Sequence, residues 1–319
     1  MNLYLHIGNH KTGSTAIQSL LENNTETLNR TDFIYPQTGR LKGAHHGIVR
    51  HLKKETEKHF DDFVGKKTER KDFELLLKNL QEECAEYCNI IISSEEFFNC
   101  NSLDSIRVHE FISLFENVTV IVYLRNQIDH IESSYKFSIA WDKEMENRTF
   151  DEYLEFQLNS EYHEYLPTLE YWSGIQNTLV KCVSFDENKS QLFKSFLSLI
   201  DRIEINNLVD LSKISRNKSP STFETAVLRE FKGRKNLDTI KALLNKLTAD
   251  SEGQINTLYT FEQYVKIRDK FKTSNELLHE KYGINLNKYV PDPRKKFFVN
   301  QSAIDKIQTL QDLIIIMLR

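Results

Sequence analysis

The apolar residues at the start of the chain change period across one short polar loop. Leu3 to Ile7 is a β-prone run closed by Gly8, and residues 9–13 are polar. From Ser14 onward Ala16, Ile17, Leu20, Leu21 and Leu28 fall on one helical face. The chain therefore opens as strand, glycine-containing loop, helix. The same alternation continues. Phe33 to Tyr35 reads as a strand closed by Pro36 and Gly39, and residues 72–88 as an amphipathic helix through Phe73, Leu76, Leu77, Leu80 and Cys84. Ile90 to Ile92 is a buried strand, Ile106 to Phe115 a helix, and Val118 to Leu124 the strongest strand. Ile128 to Ile139 returns to helical period, residues 151–172 read as helical, Leu179 to Phe185 as a strand and Gln191 to Ile200 as a helix. Beyond about residue 222 only helical patterns remain. Strands alternating with helices predict an α/β fold with a central, mainly parallel sheet. We expect one domain over 1–319, with an α/β core over about 1–200 and a helical portion over about 201–319.

Composition narrows the partners. The 319 residues carry 42 Lys plus Arg against 46 Asp plus Glu, a net charge of −4. That balance argues against a protein that coats nucleic acid through bulk charge, but it leaves a local anion site open. Four cysteines in a chain of this length are no disulfide framework, and no His or Cys pair follows Cys84 and Cys88 at zinc-site spacing. Reduced thiols are expected. The apolar stretch after Met1 is too short for a secretion signal, and no run approaches the roughly 20 residues of a membrane span. The longest, Leu313 to Leu318, reads as one buried helix face. The expectation is a cytoplasmic protein without a transmembrane segment, for which peripheral membrane contact stays open.

The first loop has the makings of an anion cradle. Gly8-Asn9-His10-Lys11-Thr12-Gly13-Ser14-Thr15 joins a strand to a helix, where backbone N–H groups and the helix dipole favour negative charge. Gly13 permits a tight turn, Lys11 adds a mobile cation, and Ser14 and Thr15 add hydroxyls, one of which is placed to cap the helix. The loop is not a Walker A motif, which puts Lys directly after its second Gly. Lys11 instead precedes Gly13 by two residues.

A second element sits at the end of the strongest strand. Arg125 follows Leu124, and Ser133 lies eight residues further on, in the second turn of the next helix. Ligands of open α/β sheets bind at the carboxyl ends of strands. Arg125 and Ser133 can converge on one phosphate there, with the planar guanidinium reading it bidentately. The alternative is that Arg125 pairs with Asp129 or Glu132 and only closes the sheet.

Together the two elements resemble the sulfotransferase family. His6-Ile-Gly-Asn-His-Lys-Thr-Gly-Ser-Thr-Ala-Ile-Gln18 is similar to its 5′-phosphosulfate loop, and Tyr123-Leu-Arg-Asn-Gln-Ile-Asp-His-Ile-Glu-Ser-Ser-Tyr135 to its 3′-phosphate element. Weaker likeness to a bacterial carbohydrate branch runs through Tyr35-Pro36, His45-His46, Ser93-Ser94-Glu95, Tyr165 to Trp172 and Ser274 to Gly283. One departure is Ser14, where many members carry Thr; the hydroxyl is kept. The resemblance implies a P-loop NTPase-like three-layer sandwich and the donor 3′-phosphoadenosine 5′-phosphosulfate (PAPS; product PAP). It further implies that Lys11, Thr12, Gly13, Ser14 and Thr15 hold the 5′-phosphosulfate, and that Arg125 and Ser133 hold the 3′-phosphate. No metal is called for.

Such an enzyme needs a group to stabilise the leaving phosphate oxygen and a base for the acceptor. Lys11 suits the first task. Family members use His or Glu for the second, and the chain offers His46, with His45 beside it, and Glu95 after the third strand. The plainer readings are a polar loop for the His pair and a helix start for Glu95. Tyr135, Phe137 and Trp141 are candidates for adenine stacking, though aromatics at this spacing are more often core. Arg216-Asn217-Lys218 is a basic loop that either closes over the 3′-phosphate or is simply solvated. The expected acceptor is a hydroxyl on a saccharide or glycolipid. The rivals are a P-loop-type nucleotide kinase, which needs Mg²⁺ and ATP, and a non-catalytic nucleotide-binding module.

Overall fold

The computed structural model describes residues 1–54, 68–140, 146–200, 220–230 and 257–287. Trp141, the Arg216-Asn217-Lys218 loop and Leu313 to Leu318 lie outside the described residues. Five strands form one sheet: β1 (Asn2–His6), β2 (Phe33–Ile34), β3 (Asn89–Ser93), β4 (Asn117–Leu124) and β5 (Thr178–Ser184), in the order β2-β3-β1-β4-β5. Every pairing is parallel. The central strand β1 sets Leu5 beside Ile92 of β3 and Val120 of β4, and His6 beside Ser93 and Ile121.

The alternation of side chains along each strand divides the core into two layers. Leu3, Leu5, Ile90, Ile92, Val118, Val120, Val122 and Leu124 pack on one face. They meet Ile48, Val49 and Leu52 of α3 (His46–Leu52), Phe73, Leu76 and Leu80 of α4 (Arg70–Cys84), Val108 and Phe111 of α5 (Ser105–Ile112), and Leu169 and Trp172 of the later Tyr165–Ser173 helix. Tyr4, Ile91, Ile121 and Tyr123 pack on the other face, against Ile17, Leu20 and Leu21 of α1 (Ser14–Asn23), Leu28 of α2 (Thr25–Asn29) and Phe193, Phe196 and Leu197. Residues 90–92 of β3 and 120–124 of β4 form unbroken apolar runs because a central parallel strand is covered on both sides. Each fully buried Ile or Leu contributes about 1.5–3 kcal/mol. β5 lies at the sheet edge and is correspondingly half exposed, with Leu179 in solvent.

By internal packing the described chain falls into two compact units. The first comprises Met1–Arg125, Glu164–Arg216 and Glu276–Leu286, and contains the whole sheet. The second comprises Asn126–His163, Asn217–Asn275 and Asn287–Arg319. Its core joins Ile131, Tyr135 and Ile139 of α6 (Gln127–Ala140), Tyr153 and Leu154 of α7 (Phe150–Leu158), Val227 of the Thr222–Glu230 helix, and Tyr264, Ile267 and Phe271.

Two helical expectations change. Residues 151–172 form two helices, α7 and α8 (Tyr165–Ser173), with a turn between them. The Asn159 side chain donates to the Glu155 carbonyl and closes α7. Pro167 has no N–H to donate and fits the first turn of α8, so the new helix starts there. Leu28 is on the short α2 and not on α1, because the Asn24 side chain donates to the Leu20 carbonyl and ends α1.

Candidate active site

The loop after β1 is shaped by two glycines. Gly8 has φ 90°, and a Cβ there would lie 2.8 Å from Glu95 Cβ, so only glycine lets the end of β1 approach β3's extension this closely. Gly13, with φ 84°, is the N-cap of α1 and packs on the side chains of Leu192 and Phe185. Lys11 between them also takes a left-handed φ of 59°. No side chain caps α1: Thr12 Oγ1 and Ser14 Oγ instead turn back and donate to the Asn9 carbonyl, at 2.5 and 3.1 Å. The capping role expected of Ser14 or Thr15 is therefore not taken up. The Ser14 hydroxyl hydrogen is directed at Asn9, and Thr15 is exposed. What remains is a helix start whose N–H groups no side chain caps, beside the half-buried Lys11.

The carboxyl end of β3 adds the acid–base groups, and the structure separates the two histidines. His45 is fully buried; its Nδ1 accepts from the Ser93 N–H at 3.2 Å, so Nε2 carries the proton and donates to the Pro36 carbonyl at 2.9 Å. Burial pushes its pKa down to about 3. His45 is thus a neutral structural strut, which leaves His46 as the histidine available for proton transfer. His46 Nδ1 lies 2.8 Å from Ser94 Oγ, and burial lowers its pKa against the opposing pull of Glu95. Glu95 accepts from Gln18 Nε2 at 2.8 Å. Burial would raise its pKa, but the positive potential of His10 and His46 and the Gln18 hydrogen bond outweigh that and hold it below the usual carboxylate range. Its neighbour Glu96, whose carboxylate is 3.7 Å from His10 Nε2, is shifted the other way by burial and by Glu95.

Arg125 extends from the end of β4 in the same unit. Its guanidinium lies 5.6 Å from the Phe185 ring centroid and its Nε 3.5 Å from Asp186 Oδ1, an ion-pair partner within the same unit. Phe185 therefore touches both the Gly13 turn and Arg125, which draws the two motifs together. Ser133 lies on α6 in the second unit, buried. There Tyr135 is core, donating to the Arg148 carbonyl, while Phe137 is exposed.

Several members of this cluster escape a reading of the sequence. Gln18 is a polar residue on the buried face of α1, and His6 closes β1 with Nδ1 2.8 Å from Ser93 Oγ. Burial takes the His6 pKa down to about 4. Gln18, buried among apolar residues one turn after Ser14, was the available signal. Phe185 and Asp186 gave none, because their role arises only where β5 lies beside β4. Among the described residues no group of three or more His, Cys, Asp and Glu is arranged to hold a metal ion.

Known proteins share features with this chain. An uncharacterized protein of Archaeoglobus fulgidus is 27% identical over 228 residues, covering 68% of this chain and 60% of that protein. The crystal structure of a sulfotransferase from Alicyclobacillus acidocaldarius aligns with 78% of this chain and 96% of its own, at 14% identity and a TM-score of 0.43. The model of the sulfotransferase domain matches residues 4–261, most of the length that carries the sheet and the site. The chain belongs to the sulfotransferase domain family.

Proposed function

We propose that this protein moves a sulfuryl group from 3′-phosphoadenosine 5′-phosphosulfate to a hydroxyl of a saccharide or glycolipid. The observation that carries this reading is the packing of Glu95 against Gly8, which sets a carboxylate beside the anion cradle. The cradle fits the donor: a helix start with no capping side chain, Lys11, and Arg125 supported on Phe185. Bound there, the donor supplies the sulfuryl group and a leaving phosphate. Lys11 and the first N–H groups of α1 stabilise the charge that grows on the leaving oxygen. Arg125 holds the 3′-phosphate.

Glu95 is ionised at neutral pH and takes the acceptor proton as the new oxygen–sulfur bond forms. Gln18 fixes the carboxylate's orientation, and His46, neutral at that pH, flanks it. Positioning and electrostatics supply the acceleration, as they do in phosphoryl transfer.

The test has two arms. Titration calorimetry with PAP gives saturable binding to the wild-type protein, while ATP with Mg²⁺ gives no turnover. A panel of oligosaccharides and glycolipids with ³⁵S-labelled donor then gives a labelled product. Turnover of ATP with Mg²⁺ and no affinity for PAP returns the chain to the kinase reading. PAP binding without transfer to any panel member returns it to the non-catalytic one.

A further inference from the structure

The loop between β2 and α3 places an arginine that has no part in the donor cradle or the proton transfer. The Arg40 side chain is only 6% exposed, and its Nε and Nη2 have no hydrogen-bond partner among the described residues. Its nearest carboxylate, Glu22, is 3.8 Å from Nη1 and is itself 52% exposed. The Tyr35 ring lies under the guanidinium at 5.1 Å. A desolvated guanidinium with two unanswered nitrogens is a costly arrangement unless an anion completes it.

The loop is built to hold that position. Gln37 and Thr38 N–H groups donate to the Glu83 carboxylate at 2.6 and 2.8 Å, and Gly47 N–H donates to the Gly39 carbonyl at 2.9 Å. Leu41 and Ala44 exchange hydrogen bonds across a two-residue turn in which Lys42 and Gly43 both take positive φ. The Tyr35 hydroxyl donates to the Gly43 carbonyl at 2.7 Å.

Strand order says which ligand this cation faces. Arg40 follows β2, Glu95 follows β3, the Lys11 cradle follows β1 and Arg125 follows β4, and the sheet runs β2-β3-β1-β4. β2 and β4, the strands that lead to Arg40 and Arg125, stand three strand spacings apart, about 14 Å at roughly 4.8 Å each. Tyr35 also meets His45 edge-on at 4.6 Å, and His45 is bonded to Ser93, so Arg40 belongs to the Glu95 side of the site.

Resting on the sulfuryl-transfer reading, we infer that Arg40 recognises the acceptor, and that the acceptor saccharide carries an anionic substituent, a carboxylate or a sulfate ester, close to the hydroxyl that reacts. The guanidinium fork suits either oxyanion. Lys42, exposed at the turn and close enough to act on His46, adds to the positive potential there.

The experiment compares three matched probes: a hexuronate-containing oligosaccharide, its carboxyl-reduced counterpart, and the O-sulfated form of that counterpart. Binding is measured by calorimetry with and without PAP, for the wild type, Arg40→Gln and Arg40→Lys. The wild type prefers both anionic probes to the neutral one. Arg40→Gln weakens the anionic probes by about 10- to 100-fold, leaves the neutral probe within twofold, and leaves PAP affinity and melting temperature unchanged. Arg40→Lys keeps the charge without the fork and falls between. Equal affinity of the wild type for all three probes overturns the inference, as does equal loss of all three in either variant. A wild type that binds no PAP fails the donor reading instead, and the saccharide arm still reports on Arg40.

Discussion

His45 allows a quantitative test of how the β2–α3 loop is held. The ring is neutral in the fold because burial excludes water from it, an effect that its backbone hydrogen bonds oppose without cancelling. Its pKa is about 3 in the fold against an ordinary 6.5. Below pH 6.5 the unfolded chain takes up a proton that the folded chain refuses. The stability His45 contributes at neutral pH is therefore lost as pH falls from 6.5 toward 3, at up to about 1.4 kcal/mol per pH unit. Between pH 7 and pH 5 the loss is about 2 kcal/mol for this ring. His6, whose pKa is lowered to about 4 by the same burial, adds a similar amount. Together these are a large part of a typical 5–15 kcal/mol stability. The assay is urea unfolding at 25 °C at a series of pH values, followed by the fluorescence of Trp172, which is buried in the sheet's core. His45→Gln keeps an amide donor for the Pro36 carbonyl but has nothing to titrate. The variant is less stable at pH 7, yet its loss between pH 7 and pH 5 is smaller than the wild type's by about 2 kcal/mol. An unchanged pH dependence in the variant refutes the argument, as does a His45 ring that titrates near 6.5 by NMR.

The same geometry sets three further outcomes. Lys11→Ala lowers turnover by about 10²- to 10³-fold while PAP affinity changes far less, since Lys11 acts on charge that develops in the transition state; near-normal turnover removes Lys11 from its role. Glu95→Gln costs about 10²- to 10⁴-fold in turnover with PAP binding intact, and costs more than His46→Ala; the reverse order in a steady-state comparison makes His46 the base. Gly13→Ala puts a Cβ 2.4 Å from Leu192 Cδ2 at φ 84°. It destabilises the fold by about 1–3 kcal/mol in urea titrations and weakens PAP binding at the cradle; a variant as stable as the wild type shows that the turn is not held as described.

The fold was legible where one period governs. Residues 90–92 of β3 and 120–124 of β4 run without a polar break because they are covered on both faces, and α1 and α4 show their buried stripes plainly. Breaks made by a single side-chain hydrogen bond were not legible, since Asn24 and Asn159 end helices that the apolar pattern carries on through. The site followed the same division. Lys11, Gly13 and Arg125 stand at sequence-visible junctions, where a strand gives way to the next element. His45 and His46 look alike in sequence, and only the backbone partners of His45 set them apart. His6 and Asp186 join the site through strand order, which no local pattern carries.

A chain of net charge −4 can still serve anionic ligands because its cations near the strand ends are held beside carboxylates at a particular distance. Arg125 Nε is 3.5 Å from Asp186, and Arg40 Nη1 is 3.8 Å from Glu22. Each of these contacts exceeds a good charge-assisted hydrogen bond, which closes to about 2.7–2.9 Å. The carboxylates offset part of the repulsion among neighbouring cations while leaving the directional bonding capacity of the guanidinium nitrogens to an incoming oxyanion. Shortening such a pair would lower the ligand's advantage, and removing it would leave an uncompensated buried charge. Long-distance counter-ions are thus consistent with a surface that is acidic overall and a site whose strongest available partners are phosphate, sulfate and carboxylate.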